Sequence, residues 1–179
     1  MGKRVLILTA SLRPHSNSDL LAASFARGAQ DAGHTVETIS LKGKHIAFCR
    51  GCLACQQTQR CVIDDDAAAI AEAVKNADVL AFASPVYYYC VSGQLKTLLD
   101  RCNPLFPAEY AFRKVYLLLT AADSGPAAAE GAQKAVQGWV DCFERAELSG
   151  TIFAGGVDAP GEAAGTPALQ EAYWAGQGV

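Results

Sequence analysis

The 179-residue chain has no strong excess of either charge: 15 Lys and Arg stand against 18 Asp and Glu, a formal net charge of −3. Nucleic acids and anionic membranes both demand a basic footprint, and no basic run of that kind occurs. Nor does any apolar run approach the ~20 residues needed to cross a bilayer. The N-terminal MGKRVLILTA places two basic residues before an apolar stretch, but that stretch covers only residues 5–8 and no small-residue cleavage site follows. Position 6 is Leu rather than Ser or Thr, so Gly2 opens no myristoylation signal. Neither GxxxxGK nor GxGxxG is present, which sets aside the P-loop and dinucleotide fingerprints. Internal repeats and low-complexity linkers are also missing. What remains reads as a cytoplasmic protein with reduced thiols, no nucleic-acid or membrane partner, and a length that one domain, residues 1–179, accommodates.

Five strand-like runs alternate with helical patterns. Residues 5–8 (VLIL) and 79–83 (VLAFA) are continuous apolar runs, the pattern of strands buried on both faces. Residues 35–41 alternate, Val36, Ile39 and Leu41 against Glu37 and Ser40, and read as a strand nearer an edge. Residues 114–120 (KVYLLLT) and 148–154 complete the set. A helical pattern over 19–32 carries Leu20, Phe25 and Ala29 and stops at Gly33. Asp64, Asp65 and Asp66 precede a second, with acids at the positive end of the dipole and Ile70, Val74 and Ala77 on one face. Ser92 reads as the N-cap of a third, whose Leu95, Leu98, Leu99 and Cys102 fall at i, i+3, i+4 and i+7. Val136, Trp139, Val140 and Phe143 repeat that spacing, and residues 167–174 form the last helix. Strict alternation predicts an α/β fold of three layers around a five-stranded parallel sheet. The flavodoxin-like order 2-1-3-4-5 suits five strands better than a six-stranded Rossmann sheet.

In such sheets a ligand binds beyond the carboxyl ends of the strands, where strand order reverses, here between strands 1 and 3. The loop after strand 1, TASLRPHSNSDLL, offers more hydroxyl and amide donors than a helix cap needs, and it runs into a helix start. The plainer reading is that Ser16, Asn17 and Ser18 only cap that helix. After strand 3 comes ASPVYYYCVSGQLK, in which Pro85 enforces an extended turn and three tyrosines follow in a loop. A planar aromatic ligand would be held there by ring faces and backbone N–H groups, whereas Tyr89 reads equally as a core or interface residue. TAADSGP after strand 4 adds a third polar loop at the same edge. Together the three loops describe a site for flavin mononucleotide (FMN). Two other occupants of this fold are set aside. The end of strand 1 lacks the acidic residues of a response regulator, and its loop lacks the cysteine nucleophile of a small tyrosine phosphatase.

TASLRPHSNS, then CRGCLACQQTQRCVIDDD, then ADVLAFASPVYYYCVSGQLKTLLDR, in that order, resemble the NADPH-dependent FMN reductase and iron–sulfur flavoprotein family. The likeness is strongest over residues 5–101, and nothing is carried over beyond Gly155. It implies tightly bound FMN, with Ser11, Arg13, Ser16, Asn17 and Ser18 holding the phosphate. It implies that Pro85, Val86, Tyr87 and Tyr88 border the isoalloxazine ring, with Asp123, Ser124 and Gly125 closing the far side. NAD(P)H is the implied co-substrate, a small molecule (quinone, free flavin, azo or nitro compound) the electron acceptor, and a homodimer or homotetramer the assembly. Hydride transfer at the flavin needs no acid–base side chain, so no catalytic residue is named.

Cys49, Cys52, Cys55 and Cys61 form the spacing CxxCxxCxxxxxC. Zinc usually takes two CxxC-like pairs with a longer spacer, and a disulfide is disfavoured in a reducing compartment. In iron–sulfur flavoproteins the motif has this form, so the resemblance implies a 4Fe–4S cluster on these four residues and electron transfer to a ferredoxin-type partner. Relatives also carry a similar loop that simply structures the ground beside the flavin, and the residues leave both readings open. Cys102, on a buried helix face, reads as a small hydrophobe. His15, His34 and His45 form no ligand set with one another, and the three aspartates are explained by the helix start.

Overall fold

A computed structural model describes residues 2–179. Its sheet is built from β1 (Arg4–Thr9), β2 (Thr35–Ser40), β3 (Val79–Tyr87), β5 (Lys114–Ala121) and β6 (Glu147–Gly155), all parallel, in the order β2-β1-β3-β5-β6. The fold is therefore the expected α/β arrangement. The numbering differs because a two-residue strand, β4 (Cys90–Val91), pairs antiparallel with the end of β3. Two residues are too short to leave a periodic signal, so the sequence pattern passed over it.

The pleat divides the strands between two cores, since successive side chains point to opposite faces. Leu6, Leu8, Leu80, Phe82, Val115, Leu117 and Leu119 face α3 (Asp66–Asn76), α4 (Gly93–Arg101) and α5 (Ala127–Val140). Val5, Ile7, Val79, Ala81, Ala83, Tyr116 and Leu118 face α1 (Asn17–Asp31) and α6 (Pro167–Gln177). A short helix, α2 (Ala54–Thr58), lies inside the cysteine loop, with left-handed non-glycine residues, Leu53 and Gln59, at its two ends. β2 alternates between exposed and half-buried positions, as an edge strand should.

Helices α1 and α6 approach closely enough that side chains are excluded at the crossing. A Cβ on Gly28 would overlap the Tyr173 carbonyl oxygen, and one on Gly176 would overlap the Phe25 carbonyl oxygen. The predicted helical run through Phe143 is shorter in fact. α5 ends at Val140, and Phe143 sits in the following turn, buried against Trp139 at 4.7 Å and Phe112 at 5.1 Å between ring centroids. A buried turn continued the apolar spacing, so periodicity alone overran the helix end. Among the described residues, no helix is long and apolar enough to cross a membrane.

Candidate functional site

The loop between β1 and α1 folds back over the end of the sheet. Ser16 is the N-cap of α1, its Oγ accepting the Asp19 N–H at 3.1 Å and lying 3.2 Å from Ser18 Oγ. Ser11 Oγ accepts the Arg13 N–H at 3.2 Å, and His15 takes a left-handed φ of 52° to complete the turn. Ser11, Ser16, Asn17 and Ser18 are all buried. The leading N–H groups of a helix have no intrahelical acceptor and carry the positive end of its dipole. Asn17 and Ser18 therefore present unspent donors within a cluster of buried hydroxyls.

These residues share one cavity of about 230 Å³ with Pro85, Val86 and Tyr87 of β3 and with Thr120, Ala121 and Ala122 at the end of β5. Val157, Asp158 and Pro160, after β6, close it from the fourth side. Arg13 Nη1 donates to the Asp158 carbonyl at 2.9 Å. Asn17 donates through Nδ2 to the Ala159 carbonyl at 2.9 Å and accepts the Ala163 N–H at 3.0 Å. Both polar atoms of the Asn17 amide are thus engaged by the stretch after β6. The family resemblance carries nothing over to residues beyond Gly155. The signal that places this stretch here is topological: it follows a parallel strand, so it emerges at the same sheet edge as the other three loops.

The second loop is a two-residue hairpin. Tyr88 and Tyr89 join β3 to β4 with positive φ at both positions, 48° and 60°, as a type I′ turn demands. Asn-Gly is the usual solution, and a bulky residue there is under strain. The hairpin is held from outside. A Cβ on Gly131 of α5 would overlap the Tyr89 carbonyl oxygen, and Tyr89 Oη lies 3.4 Å from Asp123 Oδ2. Ser84 locks its base, donating to the Pro85 carbonyl at 2.8 Å and accepting the Ser92 N–H at 2.9 Å. Tyr88 is fully exposed, at 101%, so its ring contributes no packing to this chain. Tyr88→Asn is accordingly expected to stabilise the fold by about 1 kcal/mol, roughly 2–4 °C in Tm by thermal unfolding.

Not every predicted residue enters the cavity. Tyr88 lies on the hairpin tip, and Asp123, Ser124 and Gly125 fall outside the lining. Asp123 instead organises its own turn, its Oδ1 accepting the Gly125 N–H at 2.8 Å. A larger cleft of about 690 Å³ runs between α3 and residues 58–64, floored by Ala68, Ala69 and Ala71 with Arg60, Glu72 and Lys75 among its lining residues. The α1 N-terminus, the hydroxyl cluster and Tyr87 at the base of the hairpin meet at the smaller cavity.

The cysteine loop is anchored at its two ends by one ion pair. Asp65 N-caps α3, its carboxylate accepting the Ala67 and Ala47 N–H groups at 3.1 and 2.9 Å and taking Arg101 at 2.7 and 2.9 Å. Arg101 also donates to the carbonyls of Ala47 at 2.7 Å and Ile63 at 3.3 Å. Hydrogen bonding from Arg101 holds the Asp65 carboxyl below its usual pKa, and Asp65 in turn raises that of Arg101. Cys49, Cys52, Cys55 and Cys61 all line one narrow crevice of about 20 Å³. Asn103 Nδ2 donates to Cys55 Sγ at 3.1 Å, and the Gly51 N–H to Cys49 Sγ at 3.5 Å. All seven cysteines are free thiols. Among the described residues no three His, Cys, Asp or Glu side chains are gathered closely enough to share an ion. Cys102 is a different case: burial pushes its thiol up to about 12, which makes it inert.

Residues 3–157 match the family model of NADPH-dependent FMN reductases. The chain belongs to that family. An iron–sulfur flavoprotein of Methanocaldococcus jannaschii is 38% identical over 102 residues, covering 57% of this chain and 53% of that protein. One from Methanosarcina thermophila is 27% identical over 151 residues, covering 84% and 79%. The match spans about half the length of the first two curated relatives, 53% and 44%. Among solved structures, an NAD(P)H:quinone oxidoreductase from Methanothermobacter marburgensis superposes with a TM-score of 0.73 at 22% identity, over 99% of this chain and 96% of that one. An azoreductase from Bacillus anthracis gives 0.73 at 20% identity, over 99% and 100%. At such identities the two structures bear on the fold of this family member and on nothing finer.

Proposed function

We propose that the chain binds FMN at the 230 Å³ cavity and works as an NAD(P)H-dependent flavin oxidoreductase on a small-molecule acceptor such as a quinone, flavin, azo or nitro compound. One observation carries this reading: the buried hydroxyls of Ser11, Ser16 and Ser18 and the open end of α1 share a cavity with the end of β3. The donor set fits a phosphate, which needs several N–H and O–H groups and a neighbouring cation. Ser11, Ser16, Ser18 and the leading N–H groups of α1 would hold it, with Arg13 at the rim. Pro85, Val86, Tyr87 and Tyr88 would border the ring and Asp123, Ser124 and Gly125 would close its far side, Asp123 also bracing the hairpin through Tyr89. Bound FMN supplies the hydride-accepting chemistry. The protein's own residues orient the ring, screen one face of it and leave the other open. Exposed rings at Tyr87, Tyr88 and Tyr89, with Phe48 and Leu53 on the cysteine loop, form apolar surface of the kind a second copy would cover in a homodimer or homotetramer. Free thiols throughout accord with a cytoplasmic setting.

Anaerobic titration tests the proposal. FMN is expected to bind, and NADPH or NADH to bleach its visible absorbance. A chain that takes up no FMN, or whose bound flavin stays oxidised with both nucleotides, does not have this function. Arg13→Ala is expected to weaken FMN by about tenfold, the worth of one charged hydrogen bond at an exposed site, and to leave riboflavin affinity unchanged.

A second reading is favoured by the cysteine crevice: an electron-transfer module in which Cys49, Cys52, Cys55 and Cys61 bind a 4Fe–4S cluster. The residues fit such a centre in kind. Four thiols surround one crevice, two already receive N–H donors, and a buried guanidinium beside Cys61 retains an unpartnered Nε. Cys49 and Cys52 are exposed and would have to move inward to complete the set. Iron and sulfide analysis of anaerobically prepared protein separates the two readings.

A further inference from the structure

A guanidinium has five N–H donors. In Arg101, whose side chain is 0% exposed, four are spent on Asp65 Oδ1 and Oδ2 and on the carbonyls of Ala47 and Ile63. The fifth, on Nε, has no acceptor although it is buried. An unmet donor on a buried cation is costly, so one is expected where an acceptor arrives later. Of the neighbouring groups, the Asp65 carboxylate is already engaged, Asp100 is taken by Lys96 at 2.7 Å and Asn103 donates to Cys55. Cys61 is left: it lines both the cysteine crevice and the adjoining cleft together with Arg101, and its sulfur helps to raise the guanidinium's pKa.

We propose that Arg101 is a positioning residue for Cys61, its Nε–H reserved for the Cys61 sulfur when the cysteine loop closes on a thiophilic metal centre. The proposal rests on the second reading above. Arg101 is anchored two residues outside Cys49, at Ala47, and two residues outside Cys61, at Ile63, so the donor stays fixed while the exposed part of the loop moves. Cys55, held by Asn103, and Cys61, which shares the crevice lining with Arg101, form the preset half of the site. Cys49 and Cys52 are the exposed half that closes it. A hydrogen bond to a metal-bound thiolate also offsets its charge, which a buried centre requires.

Cadmium alone is a suitable probe, being thiophilic and redox-inert. The full chain is titrated anaerobically with Cd²⁺, following thiolate-to-cadmium absorbance, for wild type, Arg101→Lys, Cys61→Ala and the double variant. Lysine keeps a cation beside Asp65 and removes the Nε–H. Arg101→Lys is expected to weaken Cd²⁺ by about 10–100-fold. In the Cys61→Ala background the same change is expected to cost nothing further, because the interaction is already gone. Additive losses, or no loss from Arg101→Lys, overturn the proposal while leaving the metal reading intact. Wild-type protein with no thiolate-to-cadmium band removes the metal reading itself, and this proposal with it. Should Arg101→Lys fail to fold, NMR of cadmium-loaded wild type decides: through-bond coupling between the Arg101 Nε–H proton and the cadmium nucleus is expected, and its absence from a resolved Nε–H signal overturns the assignment.

Discussion

Asp65→Ala is expected to destabilise the protein by about 3–5 kcal/mol at neutral pH, a large share of the roughly 5–15 kcal/mol that holds a typical domain folded. The loss arises less from the missing attraction than from what stays behind, a guanidinium 0% exposed with no counter-charge. Two backbone N–H groups, of Ala47 and Ala67, lose their acceptor as well. Thermal unfolding should show a fall of roughly 6–20 °C in Tm. The pH dependence gives a second check. Hydrogen bonding to Arg101 puts the folded pKa of Asp65 below its ordinary 3.8. The unfolded state therefore binds the proton first as pH falls, and the stabilisation is fully present above 3.8 and lost through the lower, folded value. Wild type and Asp65→Ala should converge in stability as the solution is acidified below that window. A neutral-pH deficit under 1 kcal/mol, or one that does not shrink in acid, would show that the pair is not what pins the loop.

The α1–α6 crossing should be almost as sensitive. Gly28→Val and Gly176→Val are each expected to cost about 3 kcal/mol, the upper end for overpacking. The atoms met are backbone carbonyl oxygens, of Tyr173 and Phe25, which cannot rotate away as a side-chain tip would. Both glycines serve one contact, so the double variant should lose less than the sum in denaturant titrations. Simple additivity would mean that the helices separate independently at the two points.

The sheet was legible because its signal is local. Residues 5–8 and 79–83 are apolar at every position, and a strand covered on both faces has no other need. The Ser92 cap was legible for the same reason: a hydroxyl ahead of a helical stripe, here accepting the Leu95 N–H at 3.4 Å. What escaped depends on residues far apart in sequence. Asn17 reads as a ligand-binding amide until Ala159 and Ala163 are found on either side of it, more than 140 positions away. Arg101 lies within a helical pattern that runs to Cys102, and only the folded chain shows it spanning the cysteine loop from Ala47 to Ile63. Two tyrosines in left-handed turn positions run against local preference, so no propensity argument foresees β4.

The segment after β6 bears on how this architecture diversifies. Family resemblance stops at residue 157, one position before the carbonyl that receives Arg13. Of the fourth wall of the cavity, Val157 falls within the matched residues and Asp158 and Pro160 lie just beyond them. The Glu162 carboxylate gathers the N–H groups of Asp158 and Ala159 at 2.7 and 3.0 Å, while Asn17 and Arg13 tie the segment to the opposite wall. If FMN sits in this cavity as proposed, exchanging residues 158–163 between relatives should alter its affinity, while the strands beneath carry on unchanged.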